Sequence, residues 1–141
     1  MFVGPFSARQ HERLLICMPG IYGILLGDSG EGVRLNFEAM ARAMPREVFD
    51  RCGSVHEPRT GVWLGWSAHV GSFADANPVW NETREILLVF AGEAFPDGSE
   101  IDFLRTNGHA LCKEDASYLI HAYEEQGMAF LDRVNGWFSG V

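Results

Sequence analysis

Apolar and polar positions alternate between two periods along this chain. Ile21, Tyr22, Ile24, Leu25 and Leu26 form a short apolar stretch that predicts a first strand over Ile21–Leu26. Asp28-Ser29-Gly30-Glu31-Gly32 reads as a turn or loop. Phe37, Met40, Ala41 and Met44 then recur at helical spacing, and Pro45 ends that helix. Val62–Val70 is strand-like and rich in aromatic residues, and Asp75-Ala76-Asn77-Pro78 is a turn. Ile86 to Phe90 is a continuous apolar run, the pattern of a strand buried on both faces.

The last third of the chain is helical in period. A short helix is predicted near Ile101–Thr106, closed by Asn107-Gly108. Asp115 suits a helix N-cap. Ala116, Leu119, Ile120 and Tyr123 lie on one face of the helix that follows, and Gly127 suits its C-terminal end. Phe130, Leu131 and Val134 predict a shorter second helix. Asn135-Gly136 turns the chain into a final strand over Trp137–Val141. A strand running into the end of the chain predicts that the domain continues beyond it.

Length and composition narrow this picture. A chain of 141 residues with 47% hydrophobic content predicts one globular domain with a sizeable core. Residues 1–16 contain Arg9, His11, Glu12 and Arg13 and do not read as a signal peptide, and no apolar run is long enough to span a bilayer. The formal charge of −8 argues against nucleic-acid or anionic-membrane partners, because phosphate binding needs a basic surface. Cys17, Cys52 and Cys112 are odd in number and widely spaced. They suggest a reducing, cytoplasmic location and no zinc or disulfide framework. Gly27–Gly32 carries two carboxylates and no Lys, so it is not a phosphate-binding loop.

Four ordered segments carry a resemblance. The first is Met18-Pro19-Gly20-Ile21-Tyr22-Gly23-Ile24. The second runs from Gly61-Val62-Trp63-Leu64-Gly65-Trp66 to Asn77-Pro78-Val79-Trp80. The third is Val89-Phe90-Ala91-Gly92-Glu93-Ala94-Phe95. The fourth comprises Leu104-Arg105, Gly108-His109, Asp115, Leu119-Ile120-His121-Ala122-Tyr123, Gly127 and Leu131–Phe138. Together they resemble the class II glutamine amidotransferase (N-terminal glutaminase) domain of the asparagine synthetase family.

The resemblance spans residues 18–141, leaving 1–17 as an N-terminal extension. It implies an α+β fold: an N-terminal-nucleophile hydrolase-like α/β/β/α four-layer sandwich, incomplete at its C-terminus.

The same resemblance exposes what is missing. The family opens with Met-Cys-Gly-Ile-x-Gly-Ile and uses the Cys as nucleophile. Here that position is Pro19, which has no thiol to attack an amide. The family's Asn-Gly oxyanion hole becomes Ala91-Gly92, where only the Gly92 N–H remains as a donor. Loss of one such donor costs on the order of 10²–10³ in rate. The stretch that holds the family's carboxylate-binding Arg reads Trp66-Ser67-Ala68-His69, with no guanidinium for a bidentate clamp. Asp115 fills the family position that pairs with the substrate amino group, and the helix N-cap is its structural role.

Cys17 stands two residues before the family's Cys. A two-residue shift along a strand would displace its thiol by nearly 7 Å, at ~3.3 Å per residue.

The resemblance therefore implies a degenerate amidotransferase-like domain that acts as a scaffold for an ATP-dependent amide-forming (synthetase/cyclase) domain. No cofactor or metal is expected in this chain. ATP and Mg belong to that separate domain, whose pyrophosphate-binding Ser-Gly-Gly motif is absent here. The expected partner is a C-terminal synthetase-like domain or a separate synthetase subunit. Two alternatives stand beside it: an active glutamine-hydrolysing amidotransferase supplying ammonia for asparagine synthesis, and a free-standing interaction module that forms a homodimer through the edge at Trp137–Val141.

Overall fold

A computed structural model describes residues 20–25, 30–44, 50–111 and 116–141. It is a mixed α+β structure with small antiparallel sheets. Strand β1 (Gly20–Leu25) is followed by helix α1 (Glu31–Ala43), strand β2 (Asp50–Glu57) and strand β3 (Val62–His69). A 3₁₀ turn at Phe73–Ala76 leads to β4 (Val79–Trp80), β5 (Leu87–Leu88) and β6 (Phe90–Ala94). Helices α2 (Gly98–Thr106) and α3 (Ser117–Gln126), a 3₁₀ segment at Gly127–Asp132 and strand β7 (Gly136–Gly140) complete it.

The first sheet has the order β1-β3-β2, with β3 central and both pairings antiparallel. Its register sorts side chains onto two faces, because successive residues of a strand point opposite ways. Tyr22 and Trp63 share one face, and Phe37 of α1 packs on both rings with centroid separations of 5.4 Å. Ile21, Val55, Val62, Leu64 and Trp66 share the other face and pack around the fully buried Val89.

Beyond that face lies the β6–β7 ladder, extended by two backbone hydrogen bonds between Val89 and Val141. Val89 points toward the first sheet. Its neighbour Phe90 points the other way, with Ala94, into a core shared with Ile101 and Leu104 of α2 and Leu119 and Ile120 of α3. The order of packing is thus α1, the three-stranded sheet, the β6–β7 ladder, then α2 and α3. Asn77 locks β6 in place: its side chain donates to the Phe90 carbonyl at 2.5 Å and accepts from the Phe90 N–H at 2.9 Å.

Most predicted elements occur, with informative differences. The helix expected around Phe37 starts earlier, so Glu31 and Gly32 belong to its first turn rather than to a loop. The run Ile86–Phe90 is not one strand, and only Val89 and Phe90 in it are buried, toward the two different cores, with Ile86 to Leu88 half-buried. Leu87–Leu88 pairs with β4, while Phe90 onward pairs with β7. The expected second helix at Phe130–Val134 is the 3₁₀ segment Gly127–Asp132. Strand β2, absent from the sequence reading, is the second edge of the first sheet. The cap position of α3 is Ala116; Asp115, together with Pro19, Cys17, Cys112 and the extension 1–17, lies outside the described residues.

Candidate functional site

The family-like positions that are described sit in regular strands. Gly20, next to the Pro19 position, opens β1 opposite Ser67. Ala91 and Gly92 lie in β6 opposite Ser139 and Phe138. Ala91 is buried and its methyl offers no hydrogen-bond donor. Gly92 has a φ of +113°, and a Cβ built there would lie 2.1 Å from the Trp137 carbonyl oxygen and 2.8 Å from the Phe138 Cα. Both contacts are to backbone, so only glycine fits.

The stretch Trp66-Ser67-Ala68-His69 commits its side chains to the sheet. Trp66 fills the inter-sheet core, and Ser67 Oγ accepts from Cys52 Sγ at 3.5 Å. His69 Nδ1 lies 2.6 Å from Asp50 Oδ1. The register also brings Arg51 of β2 opposite Ala68, a cation the linear sequence did not connect with this stretch. Its guanidinium is held by Asp75 at 3.1 Å.

A second group assembles at the far side of the helical layer. Asn107 and Gly108, the latter with φ +96°, end α2 and turn the chain so that His109 meets α3. There the His109 and His121 rings lie 4.6 Å apart. His121 Nδ1 is 2.9 Å from Glu124 Oε2 and 3.7 Å from Glu82 Oε2, and His109 Nδ1 is 3.9 Å from Glu124 Oε2. His109 Nε2 bonds Glu125 Oε1 at 2.9 Å.

The carboxylates are themselves anchored. Asn81 Nδ2 donates to Glu124 at 2.8 Å, and Asn107 Nδ2 donates to Glu125 at 2.7 Å. Desolvation pushes the Glu124 carboxyl up, but the hydrogen bonds from Asn81 and His121 outweigh it and hold the group below the ordinary carboxylate range. Glu125 is lowered by its hydrogen bonds from His109 and Asn107.

Glu82, His109, His121 and Glu124, one ligand-type atom of each within 4.8 Å of the others, form no recognisable site pattern in the sequence. His109 and His121 were noted only as parts of family-like segments. His121 and Glu124 stand three apart on α3, a helix-face pair, but Glu82 and His109 join them only through the tertiary fold.

A third feature is an apolar groove of about 390 Å³ between the β6–β7 ladder and α3. Ile86, Leu88, Leu119, Phe130, Leu131 and Phe138 are among its lining residues. Trp137, whose neighbour Phe138 lines the groove, alternates to the other face of the ladder and is 92% exposed. No helix among the described residues is long and apolar enough to cross a membrane. Comparison with family models and with curated proteins finds no match for this chain.

Proposed function

We propose that the chain is an amidotransferase-like domain of an asparagine-synthetase-related protein that does not hydrolyse glutamine and instead supports an ATP-dependent amide-forming partner. The observation that carries this reading is the Ala91-Gly92 pair in β6. Gly92 keeps the positive φ and the close backbone approach to β7 that only glycine allows. Ala91 beside it presents a methyl where the resembling family places an amide donor.

On this reading Gly92 is kept for the backbone approach to β7, and the side-chain donor of the family's oxyanion hole is missing beside it. Pro19 in place of a thiol, and His69 held by Asp50 where a carboxylate clamp would be needed, point the same way. The packing order of helix, sheet, ladder and helices is compatible with the four-layer sandwich that the resemblance implies. On this reading ATP and Mg act in the partner, and the apolar groove lined by Phe130, Leu131 and Phe138 offers a surface for contact with it.

The test is direct. The purified chain is incubated with glutamine, and released ammonia and glutamate are quantified. Neither should exceed the buffer control. Ammonia release that disappears in a Cys17→Ala variant would refute the reading and restore an active glutaminase.

The exposure of Trp137 and the apolar groove also favour a second reading, a free-standing interaction module that pairs through β7. Light scattering separates the two: a concentration-independent monomer excludes self-pairing, and a dimer lost in Trp137→Ser supports it.

A further inference from the structure

The geometry points to a divalent transition-metal site formed by Glu82, His109, His121 and Glu124, which would pin the β4–β5 turn and the α2–α3 connection onto α3. One ligand-type atom from each residue lies within 4.8 Å of all the others. A tetrahedral ion with bonds of about 2.0–2.1 Å separates its ligand atoms by about 3.3–3.4 Å. The contacts here, 2.9, 3.7 and 3.9 Å, scatter around that edge length. Two imidazoles with two carboxylates suit zinc and its first-row neighbours rather than calcium or magnesium, which prefer all-oxygen shells.

Surface carboxylates often gather without binding anything. What sets this group apart is its outer layer. Glu125 holds His109 Nε2 and so turns Nδ1 toward Glu124, the carboxylate–histidine arrangement that orients metal ligands. Asn107 in turn holds Glu125, and Asn81 holds the Glu124 oxygen that does not face His121. His121 is nearly buried, at 6% side-chain exposure, with both carboxylates converging on its Nδ1. Binding would replace the His121–Glu124 hydrogen bond with two bonds to the ion, the imidazole proton leaving to solvent or residing on Nε2. Two carboxylates and two neutral imidazoles offset a divalent charge. This inference does not depend on the proposed scaffold role.

The test uses Zn²⁺ and Co²⁺ with the full chain. Calorimetric titration should give one Zn²⁺ per chain. At free metal about 100 times Kd the unfolding midpoint should rise by on the order of 10 °C. Glu82→Gln, on an exposed residue, and His109→Ala should each weaken binding while far-UV circular dichroism stays that of the parent. Glu125→Ala touches no ligand atom directly and should weaken binding roughly 10–100-fold.

The Co²⁺ complex should show the visible bands of a four-coordinate nitrogen–oxygen site. Three results would overturn the assignment: no stoichiometric binding, unchanged affinity in the Glu82→Gln/His109→Ala double variant, or a thiolate-to-cobalt charge-transfer band placing the ion on a cysteine.

Discussion

Gly53 is the position where adding a single carbon tests the inter-sheet packing. It lies opposite Trp66 in the β2–β3 register, and the indole covers it. A Cβ at Gly53 would sit 2.3 Å from Trp66 Cζ2, 2.7 Å from Cε2 and 2.9 Å from Cη2. Ordinary contact begins at 3.4 Å, so the ring would have to retreat by about 1.1 Å. It has little room to do so. Trp66 is 5% exposed and packs with Leu64 and Val89 in the core between the sheets.

Two effects compete in Gly53→Ala. Removing a glycine from a strand stabilises by roughly 0.5–1 kcal/mol through the unfolded chain. Overpacking a filled core costs roughly 1–3 kcal/mol. The clash should win, leaving the variant less stable by about 1–2 kcal/mol, with the midpoint lower by roughly 3–10 °C for a domain of this size.

Gly98 supplies the control. It is the first residue of α2, and a Cβ there meets nothing within 4 Å. Gly98→Ala should therefore stabilise by about 0.4–1 kcal/mol. Urea unfolding followed by tryptophan fluorescence and circular dichroism measures both, with m expected to be unchanged. A Gly53→Ala chain as stable as the parent would show that Trp66 does not cover Gly53 and that the two sheets do not pack as described.

Two further outcomes follow from buried polar groups. Asn77→Ala strips the partners from the Phe90 N–H and C=O, at about 1–3 kcal/mol for each group left unpaired. Asn77→Asp should be no better at neutral pH, because a carboxylate oxygen would then face the Phe90 carbonyl. Equal stability of parent and Asn77→Ala in urea melts would rule out that anchor.

Glu100 is buried and its Oε1 has no hydrogen-bond partner among the described residues. Desolvation raises its pKa, only partly opposed by Arg133. The folded state then holds this proton more tightly than the unfolded one. Stability falls as pH rises from the ordinary glutamate value, about 4.3, through the raised folded value. Glu100→Gln should remove that fall. Its melting point should therefore exceed the parent's at pH 7 and converge with it near pH 4, and a pH-independent difference would contradict the burial.

How far the sequence disclosed all this depends on where each signal lay. Helix α1 and strand β3 were legible because their apolar periods are local and each packs with one clear face. Strand β2 was not. Its residues Asp50-Arg51-Cys52-Gly53-Ser54-Val55-His56-Glu57 carry one aliphatic side chain, Val55. Beside Val55, its core contribution is the absence of a side chain at Gly53, which leaves space for Trp66. The Ile86–Phe90 run reads as one strand buried on both faces, whereas only Val89 and Phe90 are buried, each toward a different core. The exchange of partners from β4 to β7 was hidden, because it depends on Asn81 accepting from the Glu85 and Ile86 N–H groups and on Val89 pairing with Val141.

The candidate sites divide along the same line. Ala91-Gly92 was found because a family-like segment is contiguous. The Glu82–His109–His121–Glu124 group draws on three elements spread over more than forty residues, and no pattern in the chain joins them.

That division bears on the proposed loss of glutaminase chemistry. The features retained at Gly92 are demands of the fold: with Trp137 O 2.1 Å from any Cβ, an alanine there would break the β6–β7 ladder whether or not a reaction takes place beside it. On the proposed reading, the functions missing at Pro19, Ala91 and Trp66–His69 belong to side chains and not to the backbone. A domain kept for its shape would lose the second kind and keep the first. The same reasoning makes the glutaminase assay and the Gly53 melt complementary: a silent enzyme with an intact, clash-sensitive sheet core is the combination expected of a scaffold.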